Sequence, residues 1–227
     1  MSKNLFITGT GTDVGKTYVT GLILKKLNQN NKKAAYYKAA MSGNDRKPDG
    51  SLIAGDALHV KTISSITQPL EEMCPYIYEQ AVSPHLAAKL EQNPVDMQKV
   101  LQNFDYLCDK YDYVTAEGSG GIICPLRFDN QKIMLEDFIK SRNLNCLIVA
   151  DAGLGTINSV VLTYEYMKLH NISAKGIIFN NFEPENPMHT DNLLMCEHLT
   201  GLKVLACVKN EDTDLNISFK TLNSLYN

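Results

Sequence analysis

The sequence predicts an α/β fold: a doubly wound, mostly parallel sheet flanked by helices, formed by residues 1–227 as a single domain. Short apolar runs alternate with helical patterns along the chain, which is the order that crossover connections between parallel strands require. Residues 146–150 are continuously apolar, as in a central strand covered by helices on both faces. We find no repeat, low-complexity segment or linker that would divide the chain into two domains.

Residues 5–7, the first predicted strand, lead into a glycine-rich loop and then into a helix with one apolar face. The loop reads Gly9-Thr10-Gly11-Thr12-Asp13-Val14-Gly15-Lys16-Thr17. Its glycines allow backbone N–H groups to surround an anion, and Lys16 adds a positive charge at a helix N-terminus. Thr17 offers a hydroxyl to Mg²⁺. This context predicts a P-loop NTPase-like phosphate site with one residue more than the usual spacing; a glycine-rich turn without a nucleotide is the alternative.

Charge and hydropathy exclude some classes of partner. The net charge is −3 and there is no long basic run, so the chain lacks an electrostatic footprint for nucleic acid or an anionic membrane. A strand begins almost at the N-terminus, which leaves no space for a signal peptide, and no apolar run reaches transmembrane length. We therefore expect a cytoplasmic protein without nucleic-acid or membrane partners.

The six cysteines form no C-x-x-C pair and have no histidine at zinc-ligand spacing. We expect buried free thiols, with Cys146 and Cys207 inside apolar strands, where cysteine behaves as a small hydrophobic residue. The five histidines form no H-x-x-x-H pair, so we expect no transition-metal site.

The second predicted strand, residues 34–37, ends at Lys38 and is followed by Ser42. Polar residues at the carboxyl end of a strand lie on the ligand side of an open α/β sheet. This position favours a second anion site at Lys38 over an ordinary solvated lysine.

Helices are predicted after this strand. Asp56 follows a glycine-containing loop and begins a helical stretch, a place that suits a helix N-cap. Ser83 and Pro84 suit the N-cap and first helical position of a helix that runs to residue 90. A further helix is expected over residues 95–108, with one apolar face.

Residues 113–116 form the next predicted strand, and Glu117 follows it directly, ahead of Gly118-Ser119-Gly120-Gly121. A carboxylate at this place suits Mg²⁺, and the small residues behind it permit close approach of a ligand. Asp151 follows the apolar run 146–150 in the same way and competes with Glu117 for the metal.

The last part of the chain continues the alternation. A helix through residue 170, a strand over 176–179, a helix over 191–199 and a strand over 204–208 are predicted. Asn180 stands at the carboxyl end of its strand, where its amide suits a purine edge and where a turn residue is equally expected. The tail from residue 210 is polar, and we expect it only to cover the surface.

Several ordered blocks of the sequence match one enzyme family. They are the long phosphate loop, Tyr37-Lys38 with Ser42-Gly43, Gly55-Asp56-Ala57, Ser83-Pro84-His85, Glu117 to Gly121, and Leu154-Gly155-Thr156-Ile157-Asn158. Together they resemble the blocks of dethiobiotin synthetase over the chain up to Asn180. That family's phosphate loop is similar and also has the extra residue, although Asp13 stands where the family often has glutamate.

The resemblance implies an ATP- and Mg²⁺-dependent cyclo-ligase that forms C–N bonds. CO₂ adds to one amine of 7,8-diaminopelargonic acid to give a carbamate, which accepts the γ-phosphoryl group of ATP. The second amine then attacks this carbamic-phosphoric anhydride, giving dethiobiotin, ADP and phosphate in biotin biosynthesis. The resemblance also implies a homodimer with the substrate site at the subunit interface.

The same resemblance implies roles for individual residues. The implied Mg²⁺ ligands are Thr17, Asp56 and Glu117, and the implied catalytic residues are Lys38, Lys16, Thr12 and Ser42. The implied nucleotide-binding residues are Gly11, Thr12, Asp13, Val14, Gly15, Lys16, Thr17, Tyr18, Glu117, Gly120 and Asn180. The implied substrate-binding residues are Thr12, Lys38, Ser42, Gly120, Gly155, Thr156, Ile157 and Asn158.

One departure and two rival interpretations accompany this resemblance. Residues 204–210 lack the glycine and proline of the family's purine-packing turn, so we expect ATP with a weaker or altered base preference. A partition or cell-division type ATPase switch of the same fold is the main alternative; such proteins usually carry a second lysine early in the loop, where Thr10 and Gly11 stand here. An amidoligase-type synthetase would need a glutaminase domain, for which we expect no space.

Overall fold

Six parallel strands form the central sheet in the computed structural model, which describes residues 2–227. In chain order the strands are β1 (Lys3–Gly9), β2 (Ala34–Lys38), β3 (Tyr113–Glu117), β4 (Pro125–Phe128), β5 (Lys132–Met134), β6 (Cys146–Asp151), β7 (Ala174–Asn180) and β8 (Val204–Cys207). The main sheet has the order β2-β3-β1-β6-β7-β8, and β4 pairs with β5 in a separate antiparallel hairpin. The predicted α/β fold with a mostly parallel sheet is confirmed.

Helices cover both faces of the sheet. They are α1 (Lys16–Gln29), α2 (Gly55–Ser64), α3 (Pro84–Leu90), α4 (Met97–Lys110), α5 (Leu135–Ser141), α6 (Thr156–Leu169), α7 (Pro187–Thr200) and α8 (Phe219–Leu225). Apolar side chains of α1, α2 and α8 form one buried cluster, and those of α3 to α7 form the other. None of the helices within residues 2–227 combines the length and the hydropathy needed to cross a bilayer.

Helix α4 begins two residues later than predicted because Asp96 caps it. The carboxylate of Asp96 accepts a hydrogen bond from the backbone N–H of Gln98 at 2.8 Å, which satisfies one of the free donors at a helix start. Ser83 occupies the N-cap position of α3, as predicted, but its hydroxyl contacts Nδ1 of His85 at 3.1 Å and caps no backbone N–H.

The expectation that the tail only covers the surface is wrong. Leu222, Leu225 and Tyr226 are buried in the cluster that α1 and α2 also form. The Tyr226 hydroxyl lies 2.7 Å from the Thr115 hydroxyl, inside the sheet layer. Helix α8 has only seven residues, about two turns, which is too short to give a clear helical pattern in the sequence, so it was not predicted.

The edge of β2 is closed by the segment that follows α2. The Gln68 side chain accepts a hydrogen bond from the backbone N–H of Tyr36 at 2.7 Å and donates one to its carbonyl at 3.0 Å. The backbone N–H of Lys38 donates to the carbonyl of Met73 at 2.9 Å. Gln68 is fully buried, so this edge strand presents satisfied backbone groups where an unpaired edge would invite association.

The cysteines are free thiols, as predicted. Cys146 lies in β6 and Cys207 in β8; Cys108 and Cys207 are half-buried and the other four are buried. Burial raises the pKa of the Cys124 thiol to about 11, so this cysteine is neutral near physiological pH.

Candidate active site

The carboxyl ends of β1, β2 and β3 place the predicted anion-binding residues in one cleft. Register in the sheet pairs Ile7 with Glu117 and Lys38 with Glu117, so the loop after β1 and both charged side chains meet at the same edge. The cleft has a volume of about 460 Å³. It is lined by Thr12, Asp13, Gly15, Lys16, Thr17, Tyr18, Lys38, Met41, Ser42, Asp56, His59, Glu117, Ser119 and Gly120.

The glycine-rich loop wraps the Lys16 side chain. Nζ of Lys16 donates a hydrogen bond to the carbonyl of Gly11 at 2.7 Å, and the side chain is buried. Burial and then the charge of Lys38 lower the pKa of Lys16 from its ordinary value. Gly15 has φ of 90° and caps α1, a backbone conformation that favours glycine. The loop therefore presents the start of α1 and a lysine to the cleft, whereas Val14 packs toward the α1 and α2 core.

Glu117 is the centre of the polar network and is 1% exposed. Its Oε1 accepts hydrogen bonds from the Thr17 hydroxyl at 2.9 Å and from Nζ of Lys38 at 2.8 Å. Its Oε2 accepts one from the Tyr36 hydroxyl at 3.1 Å. Both oxygens of a buried carboxylate therefore have donors, as a charge removed from water requires.

Lys38 joins Glu117 to Asp56. Nζ of Lys38 lies 2.5 Å from Oδ2 of Asp56 and 2.8 Å from Oε1 of Glu117. Although burial acts to lower the pKa of Lys38, the charges of Glu117 and then Asp56 raise it above its ordinary value. Lys38 is therefore held as a cation inside the cleft, and the second anion site predicted at this lysine stays a prediction.

Asp56 is not the N-cap of α2, which was the alternative to its implied role as a Mg²⁺ ligand. Ala54 is the N-cap residue of α2, and Asp56 lies in the first turn. The backbone N–H of Gly55 donates instead to Oδ1 of Asn44 at 3.0 Å. The attraction of Lys38 holds the Asp56 carboxylate in the cleft and outweighs burial, so the pKa of Asp56 is lowered.

The carboxylates of Asp56 and Glu117 and the hydroxyl of Thr17 form a donor set suited to Mg²⁺ bound with a nucleotide. Across the described residues 2–227, three or more His, Cys, Asp or Glu side chains nowhere gather closely enough to hold a metal by themselves. Mg²⁺ commonly takes one or two carboxylates and completes its shell with phosphate oxygens and water. The carboxylates of Asp56 and Glu117, together with the Thr17 hydroxyl and the neighbouring phosphate loop, therefore fit this ion.

Asp151, the rival of Glu117 for the metal, is occupied elsewhere. Its Oδ1 accepts a hydrogen bond from the backbone N–H of Gly153 at 2.8 Å, and its Oδ2 accepts one from Nδ2 of Asn181 at 2.7 Å. Asp151 does not line the phosphate cleft. The geometry thus brings Glu117, and not Asp151, to Thr17 and Lys38.

A second cavity of about 720 Å³ adjoins the cleft. The two share Thr12, Asp13, Ser42, Ser119 and Gly120. The second cavity is also bounded by a less polar wall made of Gly43, Ala81, Val82, Ser83, Pro84, Gly121, Ile123, Cys124 and Pro125. This arrangement offers space for a partly apolar ligand whose polar end faces the phosphate loop.

Asn180 reaches the opposite end of the loop. It is buried, and it packs on Gly15, where a Cβ atom would lie 2.0 Å from its Nδ2. A cavity of about 280 Å³ lies beside it, lined by Tyr18, Asn180, Asn181, Lys209, Asn210 and Glu211. The Tyr18 hydroxyl donates to the carbonyl of Asp212, which fixes the tail of the chain against α1.

The segment 155–158 lies away from these cavities within one chain. Gly155 has φ of 89° and caps α6, and Leu154 beside it is 93% exposed. Oγ1 of Thr156 is buried and has no hydrogen-bond partner among the described residues. Neither the phosphate cleft nor the second cavity is lined by this segment.

Sequence reasoning missed several residues at the cleft. Tyr36, Met41, His59 and Ser119 contact its charged network or line it. The signal available for Tyr36 was its spacing: it lies two residues before Lys38 in a strand, so both side chains project from the same face. His59 follows Asp56 by one helical turn, so it shares the face of α2 that borders the cleft.

Comparison with known proteins identifies close relatives. A family model described as an AAA domain matches residues 3–215. A protein of Clostridium botulinum named ATP-dependent dethiobiotin synthetase BioD is 51% identical over 212 residues, covering 93% of each chain. A Brachyspira hyodysenteriae protein with the same name is 48% identical over 227 residues, covering 100% of each chain.

Solved structures share the fold at low sequence identity. The MinC:MinD cell division protein complex of Aquifex aeolicus has a TM-score of 0.55 at 14% identity, covering 98% of this chain and 86% of that one. A ParA family ATPase from Chlorobium tepidum has a TM-score of 0.54 at 12% identity, covering 99% of this chain and 90% of that one. These likenesses confirm the P-loop NTPase-like architecture and do not favour a cell-division type function.

Proposed function

Because this chain belongs to the dethiobiotin synthetase family, we propose that it closes the ureido ring of dethiobiotin from 7,8-diaminopelargonic acid, CO₂ and ATP. It is an ATP-dependent ligase of biotin biosynthesis. The observation that carries the proposed chemistry is that the phosphate cleft and the second cavity share Thr12, Ser42 and Gly120. A nucleotide in one cavity and a diamine in the other would meet at these residues.

The first step joins two small molecules. One amine of the diamine attacks CO₂ and loses a proton, which gives a carbamate anion. We propose that Lys38, Ser42, Thr12 and Gly120 bind this carbamate. The Lys38 ammonium is held inside the cleft by Glu117 and Asp56, so its charge is available without large reorganisation.

In the second step a carbamate oxygen attacks the γ-phosphorus of ATP and ADP leaves. The two reactants are both anions, and their repulsion is offset by cations and N–H donors on several sides. Lys16 and the start of α1 bind the phosphates in the proposed arrangement, with Gly11, Thr12, Asp13, Val14, Gly15, Thr17 and Tyr18 as the neighbouring nucleotide contacts. Thr17, Asp56 and Glu117 hold Mg²⁺, which supplies positive charge to the triphosphate when it is bound.

In the third step the second amine attacks the carbonyl carbon of the anhydride. The C–N bond closes the ring, phosphate leaves with the C–O bond electrons, and the amine releases a proton. The ring forms between two amines of one molecule, so holding the diamine chain in the second cavity is the main task of the protein at this step.

We propose further that two chains assemble and complete each other's substrate sites. Gly155, Thr156, Ile157 and Asn158 would bind the substrate carboxylate of the partner, since a helix N-terminus attracts an anion. Exposed leucines on α6 and just before it support this assembly: Leu154 is 93%, Leu162 is 62% and Leu169 is 79% exposed. Leu162 and Leu169 are seven residues apart, so they lie on one face of the helix, and large apolar side chains exposed together favour an interaction site.

The nucleotide base would lie against Asn180, in the small cavity that Tyr18 and Lys209 also line. The wall of this cavity is formed by Lys209, Asn210 and Glu211 in place of the family's glycine and proline turn. ATP is the proposed nucleotide, with a base preference weaker than or different from that of the family.

Isotope incorporation tests the proposed reaction. The protein is incubated with ATP, Mg²⁺, the diamine and ¹³C-bicarbonate, and the product is analysed by mass spectrometry. We expect dethiobiotin with the label in its ring carbonyl. ATP hydrolysis without labelled product would contradict the proposal and favour the ATPase switch of the same fold.

A further inference from the structure

The hydroxyl of Tyr36 contacts the one Glu117 oxygen that faces away from Thr17 and Lys38. Tyr36 Oη lies 3.1 Å from Oε2 of Glu117, and both residues are almost completely buried. Register pairs Lys38 with Glu117 and Tyr36 with Thr115, so Tyr36 reaches Glu117 diagonally across neighbouring strands on the same sheet face. Among the described residues no other side chain donates to this oxygen.

We propose that Tyr36 is a positioning residue, which fixes the carboxylate of Glu117 so that Oε1 faces Thr17, Lys38 and the bound divalent cation. This inference rests on the proposed function, in which Glu117 is a Mg²⁺ ligand. A glutamate carboxylate rotates freely about its last bond unless both oxygens are held. The Tyr36 hydroxyl holds the inner oxygen and leaves the outer one for the cleft.

Tyr36 is itself held rigidly at the edge of the sheet. The Gln68 side chain bonds both backbone groups of Tyr36, at 2.7 Å and 3.0 Å, as a neighbouring strand would. The ring packs in the buried cluster shared with α1 and α2. Because the backbone and the ring of Tyr36 are both held, its hydroxyl has little freedom to move. The position of this hydroxyl therefore determines the orientation of the Glu117 carboxylate.

The chain provides a matched control in the next residue. Tyr37 is also fully buried, lies on the opposite face of β2, and donates from its hydroxyl to the carbonyl of Val100 at 2.7 Å. Tyr36→Phe and Tyr37→Phe each remove one buried hydroxyl from the same strand. A purely structural role predicts similar consequences for both; a positioning role predicts a change in cation binding for Tyr36 alone.

The test measures Mn²⁺ binding by electron paramagnetic resonance in the presence of ADP, for the unmodified protein and both variants. We expect Tyr36→Phe to weaken Mn²⁺ binding by about tenfold, the lower end of what removal of a residue supporting a metal ligand costs. Tyr37→Phe is expected to stay within about twofold, since it touches no group of the cleft. Kinetics should agree: Tyr36→Phe raises the Mg²⁺ concentration needed for half-maximal rate and leaves KM for the diamine unchanged.

Equal Mn²⁺ affinity of the two variants would overturn the inference. Thermal melts of both variants report their folding, and Tyr36→Met repeats the comparison if Tyr36→Phe does not fold. Dethiobiotin formation by the unmodified protein is assayed separately. An active unmodified protein with equal Mn²⁺ affinities in the variants would reject the role of Tyr36 and keep the proposed function; an inactive one would reject the function itself.

Discussion

Gly15 packs directly against the side-chain amide of Asn180. A Cβ atom at position 15 would lie 2.0 Å from Nδ2 and 2.7 Å from Cγ of Asn180, closer than any van der Waals contact. Gly15 also has φ of 90°, which L side chains rarely adopt. The loop after β1 is thereby tied to the carboxyl end of β7, on the far side of β6 in the sheet. The phosphate loop and the proposed base contact form one rigid unit.

Gly15→Ala is therefore expected to lose nucleotide binding. The added methyl group clashes with Asn180 and strains the backbone. Clash and strain together cost roughly 3 kcal/mol, so we expect the affinity for ADP to fall by about a hundredfold or more. Isothermal titration calorimetry measures it. Gly201→Ala, at the end of α7, is the control, because its φ is also positive at 71° but a Cβ atom there meets nothing within 4 Å and the residue does not line the cleft. A tolerated Gly15→Ala would show that the loop and Asn180 are not rigidly packed.

Lys38→Ala is expected to slow turnover more than it weakens nucleotide binding. The change removes the cation proposed for the carbamate and leaves Asp56 and Glu117 to repel each other. We expect kcat to fall by about a hundred- to a thousandfold, as when one preorganised donor to a developing charge is lost. Calorimetry with Mg²⁺-ADP should show a change several times smaller. Equal losses in both measurements would show that Lys38 acts on the nucleotide alone.

Leu162→Glu is expected to dissociate the proposed dimer. Leu162 is 62% exposed on α6, beside the segment proposed to reach the partner's substrate. A buried unpaired charge at an interface costs several kcal/mol, so light scattering should detect a single chain and the diamine-dependent rate should fall. The control is Leu58→Glu, which lies on α2 over the opposite face of the sheet and is 43% exposed. A dimeric, active Leu162→Glu variant would place the interface elsewhere.

Gln68→Leu is expected to destabilise the edge of the sheet. It leaves the N–H and carbonyl of Tyr36 buried without partners, at a cost of about 2–4 kcal/mol in the free energy of unfolding. Urea denaturation followed by circular dichroism measures this. Gln102→Leu on the exposed side of α4 should change stability by about 0.5 kcal/mol or less. Equal stabilities of the two variants would contradict the role given to Gln68.

Elements with long apolar runs could be predicted from the sequence, because such runs indicate burial directly. The strand over 146–150 is continuously apolar because helices cover both its faces, and β6 confirms it. The glycine-rich loop could also be recognised in the sequence, because a positive φ such as that of Gly15 strongly favours glycine. In contrast, α8 and the β4 to β5 hairpin are short, and short elements carry too few residues to establish a period.

The cleft was predictable only in part because its network depends on strand order. Lys38 and Glu117 each stand at a strand end, which the sequence indicates, but their contact requires that β2 lie next to β3. The roles of Tyr36 and Gln68 depend on the same strand order; spacing from Lys38 indicates the face on which Tyr36 lies, but no sequence pattern indicates Gln68. For Asp56, a local preference for helix capping was overridden by the charge of Lys38, which is remote in sequence and near in space.

ADP release by the unmodified protein tests the central claim most directly. ATP and Mg²⁺ are supplied first, then bicarbonate, then 7,8-diaminopelargonic acid, and ADP and dethiobiotin are measured together. If one cleft brings the carbamate to the triphosphate, ADP is released only when both the diamine and bicarbonate are present. The amount of ADP released then equals the amount of dethiobiotin formed. ADP release that is unchanged by the diamine would contradict the account and favour an ATPase switch.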